Sequence, residues 1–307
     1  MILEERKTMD RDLQSIQEVR DLLHEAHKAQ EIYSKFSQSQ IDEIIKEISE
    51  EAQKHETELA KLANEETGFG RWEDKILKNR LAAVGVYEHI KDMKTVGIIN
   101  EYRKDGIIEI GVPMGIIAAL IPSTNPTSTT IYKIMIALKA GNGIIVSPHP
   151  NAKDCIIKTV EYLIRAAERK GAPKGLIGVI KTPTLQATNE LMKHKLTSLI
   201  LATGGEAMVH AAYSSGTPAI GVGPGNGPSF IERSADIEKA VRRIMDSKTF
   251  DNGVICASEQ SVVTEEAIRQ QVIEEFKRQG AYFLNKEERE KVGKILMRSN
   301  NTMNPKI

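Results

Sequence analysis

The chain has 307 residues, enough for one large domain or two smaller ones with a sizeable core. Its 42 lysines and arginines balance 42 aspartates and glutamates, which argues against a protein whose main task is gripping nucleic acid, since that needs surplus basic charge. An apolar fraction of 40% excludes disorder throughout.

The N-terminus, MILEERKTMDRDLQ, is charged from its fourth residue and is not a secretory signal. No run approaches the ~20 apolar residues of a membrane span. The two cysteines, Cys155 and Cys256, are too few for a disulfide framework and lack metal-ligand spacing. These features predict a cytoplasmic protein with no metal centre and no membrane or nucleic-acid partner.

Up to about residue 95 the chain is rich in Glu, Lys, Gln and Ala and free of proline. Leu13, Ile16, Leu22, Leu23 and Ala26 recur at helical spacing, as do Ile41, Ile44, Ile45 and Ile48, then Leu59, Leu62 and Ala63. The pattern predicts amphipathic helices broken near 34–40 and 67–70, with the charges on the solvated face of a packed layer. After residue 105 the texture changes. Strands are predicted at 107–111, 115–122, 143–147, 176–181, 196–203, 218–223 and 258–264. Helices are predicted at 128–140, 152–169, after 183, and at 206–214, 234–248 and 265–279. Apolar strands alternating with amphipathic helices imply right-handed βαβ units and a parallel sheet covered on both faces. Ligands of such sheets sit at the carboxyl ends of the strands. The last segment, 298–307, is polar and lacks a helix or strand pattern.

Five strand-end turns stand out. In IPSTNPTST (121–129), two prolines stiffen the entry to a helix, and Asn125 is placed to donate an amide proton across the sheet edge; an Asn in a proline turn is also ordinary. In VSPHP (146–150), Ser147 and His149 suit a ribose or phosphate, or simply a surface turn. In LATGGEAM (201–208), Thr203, Gly204 and Gly205 join a strand to a helix whose free N–H groups favour an anion; Gly-Gly is also a common plain turn. GVGPGNGP (221–228) alternates glycines, which lets a backbone approach a flat ligand closely, but it is not a GxGxxG fingerprint. In FDNGVICASEQS (250–261), Cys256 sits between a helix and a strand. A thiol with pKa about 8.5 becomes a good nucleophile where donors favour the thiolate; a lone cysteine also reads as a small buried hydrophobe, the reading kept for Cys155.

Taken in order, PSTNPTST, VSPHP, ILATGG, AYSSGTPAIGVGPGN and SKTFDNGVICASEQS resemble the aldehyde dehydrogenase superfamily, and within it the CoA-acylating branch, from about residue 15 onward. The resemblance implies an α/β fold with a doubly wound NAD-binding domain. Residues 1–247 would hold the N-terminal helices and that domain, and 248–307 the first part of a catalytic domain. It implies that Cys256 is the nucleophile and that Asn125, with the Cys256 backbone N–H, forms the oxyanion hole. Pro122, Ser123 and Thr124 would line the cofactor crevice. Ser147, His149 and Pro150 would face the adenosine, with Ser147 where hydrolytic relatives usually carry a lysine. Thr203, Gly204 and Gly205 would approach the pyrophosphate, and Gly223 and Gly225 would lie near the nicotinamide. The glutamate that activates water in hydrolytic members is replaced, at the matching position, by Val222.

That departure implies coenzyme A rather than water as the acyl acceptor, with NAD (NADP being the alternative) as oxidant. Acetaldehyde is the expected substrate. Sulfoacetaldehyde or a longer semialdehyde, a hydrolytic dehydrogenase, a cysteine hydrolase and an assembly piece without turnover are the competing readings. Family members continue well past residue 307, so the chain is expected to stop within the catalytic domain, and its full-length form to be a homo-oligomer.

Overall fold

The computed structural model describes residues 10–298. The proline-free region forms a helical layer: α1 (Arg11–Tyr33), α2 (Gln38–Lys54), α3 (Glu56–Thr67), α4 (Trp72–Arg80), a π-helical turn (Leu81–Gly85) and α5 (Val86–Ile90). The predicted breaks fall where the chain can be capped. Ser37 and Gln40 form a reciprocal capping box at the start of α2. Gly68 ends α3 at φ 71°, a left-handed value that glycine adopts without strain. Ile41, Ile44, Ile45 and Ile48 bury the inner stripe of α2.

A hairpin of β1 (Gly97–Tyr102) and β2 (Ile107–Gly111) follows. β1 was not predicted, because its sequence carries neither a clean alternation nor a continuous apolar run. The hairpin leaves Ile98, Tyr102, Ile107, Ile108 and Ile110 exposed.

The main sheet has five parallel strands: β3 (Ile116–Leu120), β4 (Gly143–Ser147), β5 (Ile177–Val179), β6 (Thr197–Thr203) and β7 (Ala219–Val222), in the order β5-β4-β3-β6-β7. The connecting helices are α6 (Pro126–Lys139), α7 (Lys153–Arg169), α8 (Leu185–Lys193) and α9 (Glu206–Tyr213). β3, β4 and β5 are buried at every residue, as strands covered on both faces must be. One cluster packs α2, α3, α6 and α7 on one face, and a second packs α1 and α8 on the other. This is the doubly wound architecture expected from the sequence.

Beyond it, β8 (Gly227–Ile231) pairs in parallel with β9 (Glu259–Thr264), outside the main sheet. With α10 (Ile237–Thr249) and α11 (Arg269–Arg278) they build a third cluster from Ile231, Val241, Ile244, Ile268 and Val272; α12 (Lys286–Leu296) closes the described region. β8 and α10 therefore share a core with β9, whereas the sequence division at residue 247 groups them with the main sheet. Residues 299–307 of the polar C-terminal segment lie outside the described residues. Among the described residues no helix is long and apolar enough to cross a membrane.

Lys133 on α6 ties the sheet to that helix. It is 2% exposed, and its Nζ donates to the carbonyls of Leu120 (2.9 Å) and Leu201 (2.8 Å), near the carboxyl ends of neighbouring β3 and β6. Burial pushes its pKa down to about 7. Between pH 7 and 10 the unfolded chain therefore binds a proton here that the folded chain lacks, so stability rises with pH across that window. In urea unfolding, the stability of the wild type minus that of Lys133→Met is expected to grow by up to about 1.4 kcal/mol per pH unit from pH 7 upward. A difference independent of pH would show that the buried amine keeps its proton.

Candidate active site

In the main sheet the chain runs outward from β3 through β4 to β5, then returns to the other side of β3 as β6. The connections after β3 and β6 thus diverge, leaving a crevice at the carboxyl ends of these two strands. The turn 121–125 opens on it from β3. Pro126 occupies the first position of α6, where its missing N–H costs nothing. Asn125 precedes it, and the Asn125 carbonyl accepts from Thr129 N (3.2 Å), which starts the helix. Pro122 is buried; Ser123, Thr124 and Asn125 are half-buried.

The second turn follows β6. Gly205 caps α9 without a side-chain bond, so the first N–H groups of that helix are free to meet an anion. A Cβ added at Gly205 would meet nothing within 4 Å, so a ligand can approach the backbone there. Gly204 N donates to the Val222 carbonyl (3.2 Å), stitching this turn to the end of β7, immediately before Gly223 and the exposed Gly225. An uncapped helix start, open glycines and a switch-point crevice together fit a dinucleotide.

The VSPHP turn fits less fully. Ser147 is buried, and its hydroxyl shares a hydrogen bond with Thr188 on α8 (3.1 Å), so it faces the packing between strand and helix. His149 is half-buried. Its Nδ1 accepts from Asn151 N (3.1 Å), and burial lowers its pKa below the ordinary imidazole value. Pro150 is exposed.

Cys256 is exposed, in the turn between α10 and β9, whereas Cys155 is buried with its thiol on the Ala152 carbonyl. The approach to Cys256 is tightly wound. Asp251 (φ 49°), Asn252 (φ 54°) and Gly253 (φ 70°) are three consecutive left-handed residues, two of them not glycine. Such a turn persists only where its surroundings hold it. The holder is the fully buried Asp251 carboxylate. It accepts from Arg71 N (2.6 Å), from Lys75 Nζ (3.2 Å) and from Lys78 Nζ. The Asp251 N–H donates in turn to Asp74 Oδ2 (2.8 Å). A Cβ on Gly70, whose φ is +66°, would stand 1.9 Å from Asp251 Oδ1, so only glycine lets the carboxylate in.

The same lysines reach the turn after β3. Lys78 Nζ donates to Asn125 Oδ1 (2.6 Å) and Lys75 Nζ to the Thr124 carbonyl (3.2 Å). The next residue, Asn79, accepts from Thr127 Oγ1 (2.8 Å) and donates to the Glu56 carbonyl (2.9 Å), fixing α4 against the start of α6. Burial pushes Lys78 down to about 8 and lowers Lys75, with Asp251 opposing both shifts. Tyr132 on α6 closes the group. Burial raises its phenol, an interaction with Thr203 opposes this, and the Cys256 charge adds to it.

Sequence similarity agrees with this geometry. Residues 5–292 match the aldehyde dehydrogenase family. The chain belongs to that family. It is 46% identical over 285 residues to the bifunctional aldehyde-alcohol dehydrogenase of Escherichia coli strain K12, covering 93% of this chain and 32% of that protein. Its fold matches the crystal structure of an acetylating aldehyde dehydrogenase from Geobacillus thermoglucosidasius with a TM-score of 0.92 and 56% identity, covering 98% of this chain and 66% of that one. A propionaldehyde dehydrogenase from Rhodopseudomonas palustris, solved with bound CoA and an acylated cysteine, matches with a TM-score of 0.80 and 28% identity, covering 94% of this chain and 66% of that one. The chain thus spans about a third of the bifunctional relative and about two thirds of the other two.

The crevice brings the turns bearing Asn125, Thr203 and Cys256 together, while the Ser147 hydroxyl is buried against Thr188. Sequence reading missed Lys75, Lys78, Asp251 and Tyr132. The helical layer was expected to show its charges to solvent, yet Lys75 and Lys78 are 3% and 8% exposed. The available signal was their spacing of three, which puts both on one face of α4 beside Asn79.

Removing one member of a buried ion cluster strands the others, at about 3–5 kcal/mol. Asp251→Ala is therefore expected to lower the unfolding free energy by that amount in denaturant melts. Replacing Lys75 and Lys78 by methionine in the same chain is expected to recover part of it. A loss below about 1 kcal/mol would show that the lysines find other partners.

Proposed function

We propose that this chain carries the nucleophile and the cofactor crevice of an acylating aldehyde dehydrogenase, which oxidises a short aldehyde to its acyl-CoA with NAD. The observation that carries the reading is the pairing of an accessible Cys256 with a strand end that lacks a carboxylate: Val222 closes β7, half exposed, beside the glycine turn.

Cys256, as thiolate, adds to the aldehyde carbon. Negative charge grows on the carbonyl oxygen, and Asn125 Nδ2 with the Cys256 N–H stabilises it; one such donor is typically worth ~2.7–4 kcal/mol of barrier. A bound NAD would supply the hydride acceptor for this adduct, and loss of hydride would leave the acyl group in thioester linkage on Cys256. The free N–H groups at the start of α9 and the turn 203–205 would hold the pyrophosphate, and Gly223 and Gly225 would flank the nicotinamide. Without a carboxylate at Val222 there is no side chain at that position to deprotonate water. An incoming thiol that is partly ionised needs no such base, so CoA accepts the acyl group and Cys256 leaves as thiolate. Thioester exchanges for thioester, so the reaction runs in both directions.

Acetaldehyde is the substrate we assign, supported by the acetylating relative of high identity. We read β8 onward as the first section of the catalytic domain. The exposed apolar hairpin β1–β2 supports homo-oligomerisation of the full-length protein, which we place in the cytoplasm.

The test uses the longest natural protein that contains this chain. NADH formation from acetaldehyde is expected to require CoA, to yield acetyl-CoA, and to fall at least about a thousandfold in Cys256→Ala. Without CoA, mass spectrometry is expected to find one acetyl group on Cys256. Equal NADH formation without CoA, with release of free acid, would overturn the assignment.

A further inference from the structure

We propose that Lys78 is a positioning residue for Asn125: its ammonium, anchored on the buried Asp251 carboxylate, occupies Asn125 Oδ1 and so commits the Nδ2 donor to the reacting oxygen. The inference rests on the reading of Asn125 as an oxyanion donor.

A primary amide has one accepting and one donating end, and the two are nearly equal in shape. An asparagine in a turn can therefore rotate by half a turn and present its oxygen to the substrate, where it would repel the developing oxyanion. Here one orientation is selected. Lys78 Nζ donates to Asn125 Oδ1 at 2.6 Å. Flipping the amide would set N–H groups against an ammonium that has only donors. The ammonium cannot swing away. It is 8% exposed, it also donates to Asp251, and the adjacent Asn79 locks its helix to Thr127. The remaining bond of the Asn125 amide, Nδ2 to Thr124 Oγ1, is long at 3.4 Å, so Nδ2 is only weakly engaged.

Charge matters as well as direction. A cation on Oδ1 draws electron density from the amide and makes its N–H groups stronger donors, as in any charge-assisted chain of hydrogen bonds. Lys75 shares the Asp251 anchor but bonds the Thr124 carbonyl rather than the Asn125 side chain. Lys78 alone joins the two.

The experiment is a double-mutant cycle in the longest natural protein that contains this chain, with Lys78→Met, Lys78→Gln, Asn125→Ala and the combined variants. Lys78→Met is expected to lower kcat for aldehyde oxidation about 10–100-fold, with KM for NAD and CoA and the rate of Cys256 alkylation within about twofold, because Arg71 N and Lys75 Nζ still hold the Asp251 turn. Lys78→Gln, which keeps a neutral donor, is expected to retain more activity than Lys78→Met. In the Asn125→Ala background either Lys78 change is expected to cost less than about twofold more, because a positioning residue has nothing left to position. If Lys78→Met lacks a cooperative melt, the cycle with Lys78→Gln decides. Losses that multiply, or an unimpaired Lys78 variant beside an impaired Asn125→Ala, overturn the inference and leave the proposed function standing. Wild-type kcat in Asn125→Ala overturns both the oxyanion reading and the inference.

Discussion

One buried carboxylate organises this molecule. Asp251 has no exposed surface and takes two ammonium groups and a backbone N–H. Those donors all come from Arg71, Lys75 and Lys78, about 175 residues earlier in the chain, so the contact closes a very long loop of sequence. Isolated, each charge would be ruinous in the interior; together they are tolerable because nearly every partner position is filled. Such clusters add little net stability over apolar packing of the same volume. Their value is specificity: methyl groups pack in many orientations, whereas a carboxylate fed by three donors has one.

The cluster coordinates two turns that the sheet alone would leave independent. The crevice between β3 and β6 comes from topology, and Lys133 fixes its floor by bonding carbonyls of both strands. Topology does not bring in Cys256, which sits outside the five-stranded sheet, between α10 and β9. The strained backbone at 251–253 needs an anchor, and helix α4 supplies it while also bonding Thr124 and Asn125. A helical layer that looks like packing material therefore sets the relation between the turns that carry Cys256 and Asn125.

Much of this was legible in the sequence, and the exceptions have physical reasons. The strands β3, β4 and β6 announce themselves as apolar runs, and Pro126, Gly68 and Gly205 mark element ends by chemistry that acts locally. β8 was missed because GPSFI comes after a glycine-rich turn and finds its partner only across the chain. The Ser147 hydroxyl at the end of β4 shares a hydrogen bond with Thr188 on α8, a partner 41 residues along the chain that the VSPHP string does not show. Lys75 and Lys78 are the instructive miss. Lysine is almost never fully buried without a partner, and that partner lies far along the chain. Local pattern shows which face of α4 the two lysines share, but not that an anion waits there.

The π-helical turn at Leu81–Gly85 acts on the same helix in another way. A π turn inserts one residue into the helical repeat, so it resets the angular phase of the downstream residues. Upstream, α4 aims Lys75, Lys78 and Asn79 at the turns around the crevice; within the turn, Ala82 and Ala83 go into the core beneath α2 and α6. A single rod of uniform pitch would have to compromise between these two faces. With the extra residue, the polar face and the packing face are clocked separately, and the core can drift in sequence without rotating the lysines off their anion.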